Sequence, residues 1–258
     1  MPEWLEVFAS GTFALVVVTL FVAGYLRGFV GFGGAMVSVP ALALAYGPVE
    51  SIAISTVIGI PSALVLLPAA IRESEPPVVL PISAAVVLAT PFGTWILVSV
   101  EPAIMKIAIG ALVLAMSVFL MAGWKLSQQV PAPVLAAAGA AGGLVQGAAG
   151  VGGPPVVAVA LSRAGSPRQQ RGNVLGVMTA VTFASVLPLI YFELFSVRNI
   201  LMGAVLAPVY AIGTWSGARF FDSGGSRYFR VAALAMLAAI GLVTMFVSVR
   251  EHLSAGGA

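Results

Sequence analysis

The chain has 258 residues, 60% of them hydrophobic and 8% charged, with a formal net charge of +3. A water-soluble domain carries roughly a quarter charged residues, so this chain cannot clothe a water-facing surface and takes lipid as its solvent. Its 12 basic residues are scattered singly, which excludes a nucleic-acid partner, and its zero cysteines exclude thiol catalysis, disulfides and cysteine metal sites.

Apolar runs occupy 7–26, 33–46, 51–71, 78–100 and 103–124, then 132–149, 151–162, 174–192, 200–218 and 231–249. Several reach the roughly 20 residues that a helix needs to cross a hydrocarbon core. None alternates as a barrel strand does, so helices that satisfy their own backbone hydrogen bonds are predicted throughout. The first run follows Glu3 and Glu6 without a basic region or a small-residue cleavage site, so it is expected to remain as the first helix. Pro61, Pro91, Pro188 and Pro208 fall inside runs and are expected to kink them.

The runs form a duplicated set. Residues 28–48 (GFVGFGGAMVSVPALALAYGP) recur at 147–167 (GAAGVGGPPVVAVALSRAGSP), with nine of 21 positions identical. Gly93-Thr94-Trp95 recurs as Gly213-Thr214-Trp215, and Leu114-Ala115-Met116 as Leu234-Ala235-Met236. The near-constant shift implies a unit repeated at 1–126 and 127–258, with the only plausible linker at 125–131. The expected fold is an all-α polytopic membrane protein: two repeats of five hydrophobic segments, the second segment of each short.

Loop charges give sidedness. With the N-terminus outside and every segment crossing, the cytoplasmic turns hold Arg27, Arg72, Lys125, Arg163, Arg168 or its neighbour Arg171, Arg219, Arg227 and Arg230. Lys106, Arg198 and Arg250 stay outside. Five segments is an odd number, so the second repeat starts from the opposite side, the inverted topology of many secondary transporters. Segments 33–46 and 151–164, roughly 21 Å of helix each, are short for a crossing. Whether each crosses or forms one arm of a re-entrant hairpin stays open.

The pattern G-x-x-G-x-G-G interrupts an apolar stretch twice, at 28–34 and 147–153. Such a break exposes backbone N–H groups at the start of the next helix, where the dipole is positive and an anion can bind. Pro154 and Pro155 suit the first turn of a new helix. Small residues also let membrane helices pack closely, but two copies, each before a short segment, favour a site. Its candidate residues are Gly31, Gly33, Gly34, Gly150, Gly152 and Gly153. A nucleotide loop is excluded, since no strand precedes the glycines and no Lys-Ser/Thr follows them.

Arg27 abuts the first break, either as a snorkelling anchor or as the cation that pairs with an anionic substrate. Its counterpart Gln146 offers hydrogen bonds from the other side, and Ser55, Thr56 and Asn173 are candidate cavity-lining donors. Trp95 and Trp215 are expected in interface or packing roles. Glu50 and Glu193, near segment ends, are the candidate proton carriers. An enzyme is not expected: the single His252 lies in the tail, there is one Asp, and no ligand cluster stands out.

At its glycine motifs the chain resembles the TauE/SafE family of membrane permeases, the sulfite exporter or toluene-sulfonate uptake permeases. Residues 28–42 (GFVGFGGAMVSVPAL) and 147–161 (GAAGVGGPPVVAVAL) carry the resemblance, and the length and duplicated layout extend it over nearly the whole chain. It implies secondary transport of small sulfur-containing anions, such as sulfite, sulfonates or sulfoacetate, across the bacterial inner membrane. Departures at Pro154-Pro155 and at Asn173 leave the individual anion open. The expected mechanism is alternating access, with a passive anion channel or a non-transporting scaffold as alternatives. The expected partners are the anion, the bilayer, a coupling proton and a second copy in a homodimer; no cofactor is expected.

Overall fold

The computed structural model describes residues 11–101, 104, 111, 130–162 and 165–228. They form α1 (Gly11–Val30), α2 (Gly34–Tyr46), α3 (Pro48–Glu73), α4 (Pro76–Ser99), α5 (Ala132–Ala149), α6 (Gly153–Ser162), α7 (Pro167–Ala184), α8 (Val186–Tyr191), α9 (Val197–Asp222) and a final 3₁₀ turn, Gly225–Tyr228. The fifth run of each half (residues 104 and 111 apart), linker residues 125–129 and the Leu-Ala-Met repeat lie outside the described residues. So do Lys106, Arg163, Arg230, Arg250 and His252.

Helix ends follow local chemistry. α3, α4 and α7 open on proline, whose missing N–H costs nothing in a first turn. Ser166 caps α7 by accepting from Gln169 N at 3.2 Å, and Ser196 caps α9 by accepting from Asn199 N at 3.1 Å. The run 174–192 divides at Ser185 into the end of α7 and the whole of α8. Pro188 explains this, because its ring excludes the carbonyl of Ala184 and it offers no N–H to continue the ladder. Pro61, Pro91 and Pro208 sit inside continuous helices.

α3, α4, α5, α7 with α8, and α9 are each long and apolar enough to cross a membrane. Large apolar side chains such as Leu15, Val18, Leu64, Leu88, Phe92 and Leu201 point outward, as lipid contact demands. The molecule is a multi-pass, all-helical membrane protein over the described residues. Trp95 and Trp215 are both exposed, and the Arg219 guanidinium lies 4.8 Å above the Trp215 ring.

Lipid tails are as apolar as leucine, so close packing rather than burial must hold these helices together. Two pairs achieve it with the same device. Gly24 and Gly28 of α1 lie against the backbone of Tyr210 and Thr214 on α9, while Gly213 and Gly217 of α9 lie against Phe21 and Tyr25. Gly139, Gly143 and Gly147 of α5 lie against the backbone of Ile82, Val86 and Thr90 on α4, and Gly93 answers from α4 against Leu144. A methyl group at any of these positions would overlap the facing backbone. Residue numbers rise together along both contacts, so α1 runs parallel to α9 and α4 parallel to α5.

Between the pairs, α3 and α7 run antiparallel. Gly59 meets Thr182, Leu66 and Ala70 share a cluster with Leu175, and Glu73 lies against Gly172. Basic residues collect at the end where α3 finishes and α7 begins. Arg168 pairs with Glu73 at 3.8 Å, and Arg171 stacks 4.2 Å over Phe221 near the end of α9, which brings Arg72 and Arg219 to the same level. Arg198 stands at the other end, beside Tyr46. The turn at Ser74 belongs to the first end and the turn at Leu194 to the second. In intact cells, an impermeant thiol reagent should reach Ser74→Cys or Leu194→Cys from opposite faces of the membrane. Labelling of both from one face would contradict this arrangement.

Candidate functional site

Each apolar hairpin turns on glycine. Gly31 and Gly33 have φ of 96° and 85°, and Gly150 has 69°, a region that a side chain disfavours. Gly34 and Gly152 have a different task. A Cβ on Gly34 would strike the Tyr210 hydroxyl and one on Gly152 the Gly142 carbonyl, so these two permit close approach. Gly153 has more room, with Met178 Sδ at 3.4 Å from its Cβ position.

The two breaks are secured differently. At the second, Gln146 Oε1 accepts from Gly152 N at 3.0 Å and Gln146 Nε2 donates to Ser185 Oγ at 3.0 Å. At the first, Arg171 reaches across from α7 and donates to Phe29 O (Nε, 3.1 Å) and Gly28 O (Nη2, 2.6 Å). These are carbonyls at the end of α1, where orphan acceptors and the negative end of the dipole favour a cation. The loop-charge pattern offers Arg168 or its neighbour Arg171 as the residue of a cytoplasmic turn. Arg171 is instead 1% exposed and holds α1 in place.

Between the breaks lies a cavity of about 40 Å³, room for on the order of three waters or one small ion. Arg27, Gly33, Ser55, Thr56, Gln146, Gly150 and Gly153 line it, together with Thr182, Tyr210 and an apolar wall that includes Met36, Ile52, Met178 and Val181. Gly59 of α3, Thr182 of α7 and Tyr210 of α9 all line it near the middle of their membrane spans. The cavity therefore sits at mid-depth.

Arg27 dominates this cavity. It is 8% exposed, its Nη2 donates to Thr182 Oγ1 at 2.9 Å, and its guanidinium faces the Tyr210 hydroxyl. Its Nε is buried without a hydrogen-bond partner. Among the described residues, no carboxylate pairs with it. Its side chain turns inward to α7 and α9 rather than outward to a headgroup, so it is not a snorkelling anchor.

The remaining expected site residues separate. Ser55 and Thr56 line the cavity, the Thr56 hydroxyl also donating to Ile52 O at 2.9 Å. Asn173 does not line it: Oδ1 accepts from Glu75 N at 2.6 Å and Nδ2 donates to Glu75 Oε2 at 2.8 Å, which secures the start of α4. Gly31 faces Val174 and Leu175 instead of the cavity, and Gly34 and Gly152 stand behind it as clearance positions. Glu50, in the first turn of α3, and Glu193, in the turn after α8 at φ 55°, are also away from it. The expected amide-rich start exists only at the first break. α6 opens Gly153-Pro154-Pro155, and its two prolines have no N–H. Thr182 and Tyr210 were missed; their signal was a polar group inside an otherwise apolar run.

The family described as Sulfite exporter TauE/SafE matches residues 16–244. No curated protein and no solved structure matches the chain significantly.

Asn173→Ala removes the two hydrogen bonds that Asn173 makes to Glu75 N and Oε2. The purified variant should lose about 1–3 kcal/mol of unfolding free energy in a denaturant titration, with anion binding by the folded protein unchanged. A selective loss of binding would return Asn173 to the site.

Proposed function

The chain belongs to the sulfite exporter TauE/SafE family of membrane transporters, and on that premise we propose that it is a secondary transporter of small sulfur-containing anions such as sulfite or sulfonates, working by alternating access. The observation that carries this reading is Arg27, a full charge held at mid-depth with an unpartnered Nε and, among the described residues, no carboxylate beside it. A charge inside a membrane is expensive and marks a pathway or a ligand. A buried arginine serving only to hold the structure together has its donors taken by protein acceptors, as Arg171 does at Gly28 O and Phe29 O. Arg27 lines a cavity with its Nε unpartnered and is matched by an incoming anion. A scaffold protein has no use for it.

Three features support the inverted repeat and the rocking motion. α1 pairs in parallel with α9, α4 pairs in parallel with α5, and the third helices of the two halves, α3 and α7, are antiparallel. A pseudo-twofold axis in the membrane plane relates such an arrangement, and the cavity between the two glycine breaks lies where such an axis passes. The basic end, with Arg72, Arg168, Arg171, Arg219 and Arg227, is cytoplasmic by the positive-inside rule. That puts the start of α1 on the periplasmic side of a bacterial inner membrane. In the loaded state an anionic oxygen takes the free Nε of Arg27 and the amides at the start of α2. Among the described residues no carboxylate lines the cavity, so on this reading a proton that crosses does so on the anion itself.

At equal expression, Arg27→Ala should reduce anion flux in proteoliposomes about a hundredfold, the scale for removing one partner of a buried charge pair. Arg72→Ala should leave it near wild type, because that side chain is exposed and reaches only its own helix, at Pro68 O. Equal effects would reduce Arg27 to a structural residue. Accumulation against a gradient, abolished by an uncoupler, separates this mechanism from a passive channel.

A further inference from the structure

We propose that the cavity admits one negative charge and rejects two, so that the transported species is a small monoanionic oxyanion. The proposal rests on the transporter reading and narrows its substrate class. It follows from the charges that face the cavity. Among the described residues, Arg27 and Tyr210 are the only ionisable side chains lining it, and no acid or second base joins them. At the place of Arg27 in the second repeat stands Gln146, a neutral amide already committed to Gly152 N and Ser185 Oγ. The duplicated fold had two positions for a cation and fills one.

Helix dipoles do not supply the missing charge. Each break joins the negative end of one helix to the positive end of the next, so their half-charges largely offset each other at the tip. At the second break Pro154 and Pro155 also remove two first-turn amides. Arg171, the other buried base, is spent on Gly28 O and Phe29 O, has Glu73 and Asp222 in electrostatic range, and does not line the cavity. One net positive charge remains. A monoanion neutralises it, whereas a dianion leaves one charge uncompensated at mid-membrane, which is strongly disfavoured. The apolar wall of Met36, Ile52, Met178 and Val181 accepts the uncharged side of such a ligand and offers nothing to a second charged oxygen.

Methanesulfonate, perchlorate and sulfate test this, being similar in size and tetrahedral shape while differing in charge. Isothermal calorimetry on the purified full chain in lipid nanodiscs should show methanesulfonate and perchlorate binding, with sulfate weaker by roughly a hundredfold. Gln146→Arg, which adds the second cation, should bring sulfate to at least the affinity of methanesulfonate. If that variant does not fold, the wild-type comparison decides alone. Sulfate binding wild type within a few-fold of methanesulfonate would overturn the single-charge rule and leave the anion site standing. Methanesulfonate binding without perchlorate would assign selectivity to the methyl contact and also overturn the rule. If none of the three binds wild type in a manner lost in Arg27→Gln, the transporter reading itself fails.

Discussion

The organisation of this molecule depends on keeping one guanidinium charged at mid-membrane. Among the described residues Arg27 has no carboxylate to neutralise it, and its side chain turns inward, away from the headgroups. It is held by neutral oxygens on two other helices, Thr182 on α7 and Tyr210 on α9. To place those oxygens within reach, α1 must approach α9 backbone to backbone, which the glycines at 24, 28, 213 and 217 allow. The start of α2 must also clear the Tyr210 hydroxyl, which Gly34 allows by lacking a Cβ. Close packing and charge placement are therefore one requirement.

The repeated glycine pattern combines three steric demands that happen to call for the same residue. Gly28 and Gly147 let paired helices touch, Gly31, Gly33 and Gly150 turn the chain at positive φ, and Gly34 and Gly152 leave room behind the cavity. The choice between packing and binding, posed for the motif as a whole, dissolves when each position is taken separately. The first glycine of each copy serves packing. Gly33, Gly150 and Gly153 border the cavity.

The helical class and the membrane setting were legible because they depend on apolar run length and composition. The cavity was legible in outline, since Arg27, Ser55, Thr56 and Gln146 converge on it with glycines of both copies. What could not be read is direction. Asn173 sits in the third helix of its half as Thr56 does, but its amide turns outward to Glu75, and only the position of α4 decides that. Arg171 stands as an alternative to Arg168 for a loop charge because both lie near a segment end, and nothing local reveals that α1 finishes against Arg171. Tyr210 and Thr182 are ordinary residues for an apolar helix until the fold faces them toward Arg27.

The two breaks share a glycine pattern but differ in chemistry, which makes the cavity lopsided. At the first break the chain keeps a cation, free amides at Ala35 and Met36, and an external clamp from Arg171. At the second it substitutes Gln146, Pro154 and Pro155, and the glutamine side chain closes the break from within by taking Gly152 N. A symmetric pair of cations would repel across a small cavity and demand a doubly charged ligand, while a symmetric pair of neutral breaks would have nothing to draw an anion into lipid. One active break and one stapled break avoid both extremes. The stapled break is fastened to the α7–α8 junction through Gln146 and Ser185. The first break is tied to α7 chiefly through side chains of two arginines. Any displacement of α1 relative to α7 would have to stretch those contacts first.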